Sequence, residues 1–233
     1  MTFVFPQFFV RMLRLGLLLI TVNATAAVQF RALSWQGGIS DLLFKSGGRE
    51  ITLIANDSGL SVPYDFSGPG PLELYRLVTI DDKTTRQTVA TIPVPSGLNR
   101  ALLILVMSPD GACSGKWLDN TVDTTPTGML RIHNLSSSEI AVNAGRDIRA
   151  LAVGASAGIV FAENARTLPI RVALRTKDRW DVALNFAQPV RSRLRFIAIV
   201  RDGRPTPDEP DRALDWVCFH ELPPPPIEPS EGP

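Results

Sequence analysis

From Val28 to His220, short runs of β-branched and other apolar residues alternate with clusters of Gly, Pro, Asn, Asp and Ser. The runs recur roughly every 8 to 12 residues, and no segment has the apolar spacing of an amphipathic helix of three turns. Turn clusters such as Ser67-Gly68-Pro69-Gly70-Pro71 separate the runs. This pattern is typical of an all-β chain folded as antiparallel β-sandwiches, and it argues against a fold in which strands and helices alternate.

The expected strands follow directly from these runs. They are Val28–Ser34, Ile39–Lys45, Arg49–Ile54, Leu72–Thr79, Thr88–Pro93, Ala101–Met107, Met129–Asn134, Ile140–Asn143, Ile148–Val153, Pro169–Arg175, Trp180–Phe186, Leu194–Val200 and Leu214–His220.

An internal repeat divides this series of strands into two halves. Phe30-Arg31-Ala32-Leu33-Ser34 leads to Gly48-Arg49-Glu50-Ile51, and Leu130-Arg131-Ile132-His133-Asn134 leads to Gly145-Arg146-Asp147-Ile148, with offsets of 100 residues at Arg31 and 97 at Arg49. Each half also holds an apolar run that ends in Asp-Gly, a Trp and one Cys. We expect two tandem immunoglobulin-like sandwiches, 27–122 and 123–222, joined near 124–128. A chance similarity between two Gly-rich β segments is the alternative.

The N-terminus has the order of a signal peptide. Arg11 and Arg14 precede the apolar run Leu15–Val22 and the small-residue segment Ala24-Thr25-Ala26. The run is shorter than the span of about 20 residues that a membrane helix needs. We therefore expect 1–26 to be a signal peptide cleaved after Ala26, with Met12 as an alternative start, and the protein to be exported to the periplasm or the cell surface. An uncleaved signal that anchors the chain to the membrane is the other interpretation.

The C-terminal segment 223–233 is dominated by proline. It cannot form a helix or a sheet and favours extended polyproline II structure. We expect a disordered, solvated tail, with a proline-rich ligand for a partner as the alternative.

Charge and cysteine content exclude several classes of protein. The chain has 24 Lys plus Arg against 23 Asp plus Glu, so its net charge of +1 argues against binding to nucleic acid by bulk electrostatics. Its two cysteines cannot form a disulfide-dense scaffold or a cysteine-rich zinc domain. In an oxidising compartment Cys113 and Cys218 could form one disulfide, and two separately buried thiols are the alternative.

The sequence offers little catalytic chemistry. His133 and His220 are the only histidines, and neither lies in a metal-ligand motif. The chain contains no nucleophile elbow, phosphate-binding loop or dinucleotide fingerprint. The acidic pairs Asp81-Asp82 and Asp208-Glu209 lie in polar loops and indicate solvated charge. We therefore predict no catalytic residue, no metal ligand and no cofactor.

One concentration of charge suggests a ligand. Between Arg171 and Arg204 the local balance is nine bases against three acids. On a strand, Arg191, Arg193 and Arg195 would share one face, and Arg171 and Arg175 would do the same. If these strands are neighbours, their arginines form a ladder that suits an anionic glycan or lipid head group. Edge protection and solubility explain the same arginines as an alternative.

Several segments resemble an uncharacterised family of bacterial proteins that carry signal peptides. These segments are Phe30-Arg31-Ala32-Leu33-Ser34-Trp35, Gly68-Pro69-Gly70-Pro71-Leu72 and Leu130-Arg131-Ile132-His133-Asn134-Leu135-Ser136-Ser137 within 129–204. The second half more loosely resembles immunoglobulin-like domains of bacterial surface proteins. The resemblance implies a fold and no activity.

Together these observations predict a non-enzymatic exported envelope protein with a structural or protein-interaction role and an unidentified envelope protein as its partner. The alternative is a module that binds an anionic glycan or lipid head group through an Arg-rich sheet face of the second domain. We expect no nucleic-acid partner, and membrane contact only through an uncleaved signal.

Overall fold

The computed structural model describes residues 26–35 and 37–222, and their regular elements are all strands. The expected proline-rich tail lies outside the described residues, and so does the expected signal peptide apart from Ala26. No helix in the described part of the chain is long and apolar enough to cross a membrane. The strands are β1 (Ala26–Ser34), β2 (Ile39–Ser46), β3 (Arg49–Ala55), β4 (Tyr64–Gly68), β5 (Leu72–Ile80), β6 (Lys83–Ile92), β7 (Arg100–Met107), β8 (Cys113–Asp119), β9 (Met129–Asn134), β10 (Ile140–Ala144), β11 (Asp147–Leu151), β12 (Ser156–Val160), β13 (Thr167–Thr176), β14 (Arg179–Pro189), β15 (Arg195–Asp202) and β16 (Leu214–Glu221).

These strands form four sheets of four strands each. Sheet I has the order β4-β1-β7-β8, sheet II β3-β2-β5-β6, sheet III β12-β9-β15-β16 and sheet IV β11-β10-β13-β14. One apolar core lies between sheets I and II, and another lies between sheets III and IV. The prediction of two tandem β-sandwiches is confirmed.

The two sandwiches have the same strand order, since each strand of the first corresponds to the strand numbered eight higher in the second. The β-bulges also correspond, since the extra residue is Val89 of β6, opposite Leu74 and Tyr75, and Ala183 of β14, opposite Val172 and Ala173. One detail differs from a purely antiparallel sandwich, because β1 pairs with β7 and β9 with β15 in parallel. We call residues equivalent when they occupy the same place in these two matching sets of strand pairs.

The structure contains three strands that the sequence pattern did not predict, β4, β8 and β12. All three lie at the edge of a sheet. β4 and β12 are only five residues long, and β8 carries Ser114, Gly115 and Lys116 in its first half. Short edge strands with small or charged residues give only a weak alternating pattern, which explains why they were missed.

Alternate residues of each strand fill the sandwich cores, as the period of two along a strand requires. In the first core, Phe30 packs against Phe44, Tyr64 and Trp117, with ring centroids 5.3 to 5.8 Å apart. In the second core, the ring centroids of Phe161 and Phe196 lie 5.8 Å apart. Aromatic side chains therefore dominate the centre of the first sandwich.

A third apolar cluster joins the two sandwiches. It contains Leu33, Leu102, Ile104 and Leu118 from sheet I and Ile197, Ile199 and Phe219 from sheet III. Three pairs of these residues are equivalent: Leu102 and Ile197, Ile104 and Ile199, and Leu118 and Phe219. The back of sheet I thus packs on the back of sheet III with approximate two-fold symmetry, and the layers follow the order II, I, III, IV.

Candidate functional site

The five arginines predicted to bind an anion do not lie together. Arg171 and Arg175 are on β13 of sheet IV, whereas Arg195 is on β15 of sheet III. Arg191 and Arg193 lie in the connection between β14 and β15. The prediction of a single arginine ladder is wrong, because the chain leaves one sheet and enters the other within this segment.

Arg195 is fully buried between the sandwiches. Its Nη2 donates to Glu221 Oε2 at 2.6 Å and to the carbonyl oxygen of Asn120 at 2.9 Å. Its Nη1 lies 3.5 Å from the carbonyl oxygen of Thr125. A guanidinium with these partners is not available to an external anion, so Arg195 is a structural residue.

Glu221 is the centre of this buried polar cluster. Its carboxylate also lies 3.4 Å from Arg31 and 3.8 Å from Arg100, and it accepts a hydrogen bond from Asn120 Nδ2 at 3.0 Å. Burial by itself raises the pKa of Glu221, but hydrogen bonds from Arg195 and Asn120 and the charges of Arg195 and Arg31 bring it below its usual value. The carboxylate is therefore held ionised.

The cluster is itself nearly symmetric. Arg100 is equivalent to Arg195, and Asn120 is equivalent to Glu221. One carboxylate therefore serves both halves of the interface, since the first sandwich has an amide where the second has an acid.

The opposite end of the interface is held by a second polar group. Arg201 Nη1 donates to the carbonyl oxygen of Trp35 at 2.7 Å, and Arg204 Nη2 donates to the same oxygen. Arg204 Nη1 lies 3.4 Å from Asp57, and Arg201 Nε lies 3.4 Å from Asp215. Because both ends of the apolar cluster are bonded across the interface, the two sandwiches form one unit.

The two histidines do not form a metal site. His133 is buried and is equivalent to Leu33 of the first sandwich. Burial, reinforced by the charges of Arg131 and Lys116, lowers the pKa of His133 to about 4. No group of His, Cys, Asp or Glu side chains with the arrangement of a metal site occurs in the part of the chain that the structure describes.

The disulfide left open by the sequence is not formed, since Cys113 and Cys218 are both free thiols. Cys113 belongs to the core of the first sandwich, and Cys218 packs against the core of the second. The two cysteines are not equivalent, because Cys218 corresponds to Trp117. Each thiol belongs to its own sandwich, where Cys113 is buried and Cys218 is half-buried.

Two of the predicted arginines, Arg171 and Arg175, share the outer face of sheet IV. Arg171 and Arg175 lie there with Asn143, Asn185 and the apolar residues Ile148, Ala141, Ala150, Ala173, Trp180 and Val182. Trp180 is 43%, Val182 59% and Ile148 67% exposed. We call this surface the sheet IV outer face.

Most of its charge is already neutralised. Arg175 Nη1 lies 3.0 Å from Glu139, and its guanidinium lies 5.9 Å from the centre of the Trp180 ring. At the tip of the β13–β14 hairpin, Arg179 lies 2.9 Å from Asp181. Arg171 has no ion-pair partner among the described residues, so it is the cation on this face that remains open to a partner.

The equivalent face of the first sandwich has a different chemistry. On sheet II, Glu50 accepts hydrogen bonds from the Tyr75 hydroxyl at 2.6 Å and from Arg86 Nη2 at 3.2 Å. The guanidinium of Arg86 also lies 4.8 Å from the centre of the Tyr75 ring. Burial and the hydrogen bond to Glu50 raise the pKa of Tyr75 to about 12, which keeps its hydroxyl protonated.

The second sandwich has apolar residues where this polar network stands. Glu50, Tyr75 and Arg86 are equivalent to Ile148, Ala173 and Trp180, respectively. Two copies of one fold in a single chain therefore differ at the same surface, and the sheet IV outer face is the apolar one.

Some residues of these sites had a signal in the sequence, and others had none. Arg195 lies between Leu194 and Phe196, so the alternation along a strand places it on the face opposite to them, but the sequence does not show that this face is covered. Trp180 and Val182 alternate within a predicted strand, but the strand pattern does not tell which face is exposed. Glu221 and Asn120, which complete the buried cluster, had no local signal.

No protein-family model matches the chain, and a search of the curated proteins finds no match. The resemblance to uncharacterised exported bacterial proteins stays a prediction, and the function is inferred from the geometry.

Proposed function

We propose that this protein is a non-enzymatic exported envelope protein that associates with another protein through the sheet IV outer face. The observation that carries the proposal is the replacement of the Glu50, Tyr75 and Arg86 network of the first sandwich by exposed Ile148 and Trp180 and half-buried Ala173 in the second. Tryptophan and arginine are enriched in protein interfaces, and exposed apolar clusters mark binding surfaces.

The residues of the sheet IV outer face indicate which groups the surface of the partner carries. A complementary surface has an apolar centre that covers Trp180, Val182 and the alanines, and a carboxylate opposite Arg171. Because Arg175 and Arg179 are already paired with acids, further negative charge on the partner gains little at those positions.

An anionic glycan fits this surface less well than a protein. A multivalent anion needs several open cations in a row. Of the five arginines in the predicted ladder, Arg195 is buried, Arg175 is paired with Glu139, and Arg191 and Arg193 lie off the sheet. An apolar platform with one open arginine favours a protein.

The buried interface between the sandwiches supports a structural role. Sheets I and III are joined by an apolar cluster with polar groups at both ends. A rigid arrangement of this kind presents the sheet IV outer face in a fixed orientation, which lowers the entropy lost on binding. The proposed location in the periplasm or at the cell surface comes from the N-terminal sequence, and sequencing the N-terminus of the protein from an envelope fraction tests it.

The association is tested by crosslinking in the envelope of cells that make the full-length protein. We expect the double variant Trp180→Ala, Val182→Lys to lose a stoichiometric crosslinked protein that the unaltered protein retains. The matched control is Arg86→Ala, Thr88→Lys, which alters the equivalent positions of sheet II and keeps the crosslink.

Equal denaturation midpoints for both variants would show that they are folded. If the sheet IV variant kept the crosslink, the proposal would fail. Salt-sensitive retention of the protein on a sulfated polysaccharide, without a protein partner, would instead favour the glycan alternative.

A further inference from the structure

The strand β14 is an edge strand whose protection against pairing is limited to two charges at its start, a β-bulge at Ala183 and Pro189 at its end. It forms one edge of sheet IV and, at 11 residues, is the longest strand in the described part of the chain. Its charged residues, Arg179 and Asp181, lie in the first three positions, and residues 182–189 carry no charge. Natural edge strands are usually short, charged or covered, because a free edge is a template for another strand.

The equivalent strand β6 of the first sandwich is protected. Its two charged residues, Lys83 and Arg86, also lie near its start, but unlike β14 it approaches the edge strand of the facing sheet, β8, at the side of the sandwich. Gly115 of β8 allows this approach, since a Cβ atom at that position would overlap the side chain of Ile92. The β6 edge of sheet II and the β8 edge of sheet I therefore pack against each other along this side of the first sandwich.

In the second sandwich, a bulky pair occupies the same place. Phe186 is equivalent to Ile92, and Trp216 is equivalent to Gly115. Their ring centroids lie 5.4 Å apart, and Trp216 Nε1 donates to Gln188 Oε1 at 3.1 Å. The two rings fill the space in which β6 and β8 approach each other, and β14 does not come as close to β16.

The backbone of β14 is also free of other cover. Within 26–35 and 37–222, no backbone hydrogen bond joins β14 to any segment other than β13. The connection between β15 and β16 passes near Ala183 and Leu184, and its residues Glu209 and Arg212 line a cavity of about 380 Å³ with them without a backbone hydrogen bond to β14. A row of amide and carbonyl groups is thus open to a partner strand.

We propose that β14 pairs in antiparallel fashion with β14 of a second copy of this chain, which joins two copies of sheet IV into one eight-stranded sheet. The uncharged segment 182–189 meets the same segment of the second copy, so no like charges face each other there. Asn185 lies near the middle of this segment and therefore near the two-fold axis.

A second copy is the occupant that this edge fits best. Every copy carries the same long, uncharged and uncovered strand, and a two-fold axis satisfies both free edges at once. The pairing also places the two copies of the sheet IV outer face side by side. The dimer uses backbone groups, whereas the association proposed above uses side chains of the face, so the two proposals do not depend on each other.

The pairing involves one strand from each copy and buries less surface than a standard interface of about 1,600 Å². We therefore expect a weak dimer whose population rises with protein concentration. Sedimentation velocity over a concentration series measures this equilibrium.

Asn185→Lys places two like charges near the two-fold axis, and we expect it to raise the dissociation constant about fivefold. Thr91→Lys changes the equivalent exposed position on β6, and this control leaves the constant unchanged. Sedimentation of the protein as a monomer at all concentrations would overturn the proposal, and so would equal effects of the two substitutions.

Amide hydrogen exchange of the unaltered protein gives a second readout that needs no variant. We expect the amides of 182–188 to become more protected as concentration rises, whereas those of β6 do not change. Protection that does not vary with concentration would contradict the pairing of β14. Crosslinking to a different protein is measured separately, so failure of this proposal and failure of the proposed function can be told apart.

Discussion

Arg195 Nη2 lies 2.6 Å from Glu221 Oε2, and both side chains are buried where the two sandwiches meet. The two residues face each other across the β15–β16 pair, and Asn120 of the first sandwich bonds to both. The ion pair is thus the point at which the second sandwich is joined to the end of the first. Its burial makes the interface sensitive to the loss of either partner.

Arg195→Met is expected to lower the free energy of unfolding by about 3 kcal/mol, because it leaves the buried carboxylate of Glu221 without its strongest donor. Chemical denaturation measures the loss. Arg193→Met is the matched control, since Arg193 is exposed in the preceding turn, and it should change stability by no more than about 0.5 kcal/mol. Equal effects of the two substitutions would contradict a structural role for the pair.

Stability is expected to fall by about 2 to 3 kcal/mol between about pH 7.5 and about pH 4.5 on account of His133. The pKa of His133 is about 4 in the folded protein against 6.5 for the free side chain, so in this window the unfolded chain binds a proton that the folded protein does not. The contribution of neutral His133 to the free energy of unfolding is complete above pH 6.5 and is lost as the pH falls towards 4.

His133→Leu introduces the residue found at the equivalent position, Leu33, and should remove this part of the pH dependence. Urea denaturation at about pH 7.5 and about pH 4.5 measures the change in the free energy of unfolding. His220→Gln is the control, since His220 is exposed, and it should leave the difference in place. A His133→Leu variant with the full pH dependence would show that another group is responsible.

Both thiols are expected to be present and unreactive in the native protein. Burial raises the pKa of Cys218 to about 12, and burial also raises that of Cys113 although the charge of Arg76 opposes it. Alkylation of Cys218 near pH 8 should be roughly a thousandfold slower than in urea, because so little thiolate forms. Mass spectrometry without reductant should find two alkylated cysteines after unfolding, and a single disulfide would contradict this.

Gly203→Ala is expected to destabilise the protein by about 1 to 3 kcal/mol. A Cβ atom at Gly203 would overlap the main chain of Arg212, and Gly203 N is bonded to the carbonyl oxygen of Ala213 at 2.9 Å, so the main chain must shift. At Gly38 the nearest atom to an added Cβ is 3.9 Å away. Gly38→Ala should therefore cause no loss in thermal denaturation, and an equal loss at both sites would contradict the steric argument.

The spacing of apolar runs was sufficient to predict most strands and the repeat of one sandwich by another. It missed β4, β8 and β12, because an edge strand has one neighbour only and its residues are held by backbone pairing more than by apolar side chains. The repeat was predicted from the match of Arg31 with Arg131, which are equivalent, and of Arg49 with Arg146, which are not, since Arg49 corresponds to Asp147. The Trp and Cys residues that each half contains are not equivalent, since Trp117 corresponds to Cys218 and Trp216 to Gly115.

The candidate sites were harder to predict, and the arginines show why. Alternation along a strand correctly placed Arg171 and Arg175 on one face, but it carried no information on which sheet Arg195 would join or what would cover that sheet. Arg195 became buried because the back of sheet III packs on the back of sheet I.

The sequence by itself determined that the chain is all-β, that it repeats one sandwich, and which side chains alternate on each strand, because these properties depend on neighbours along the chain. Only the tertiary structure decided which faces are buried, which acid meets Arg195, and that β14 is left uncovered. Those outcomes depend on contacts between residues far apart in sequence, such as Asn120 and Glu221, or Phe186 and Trp216, and no local pattern encodes them.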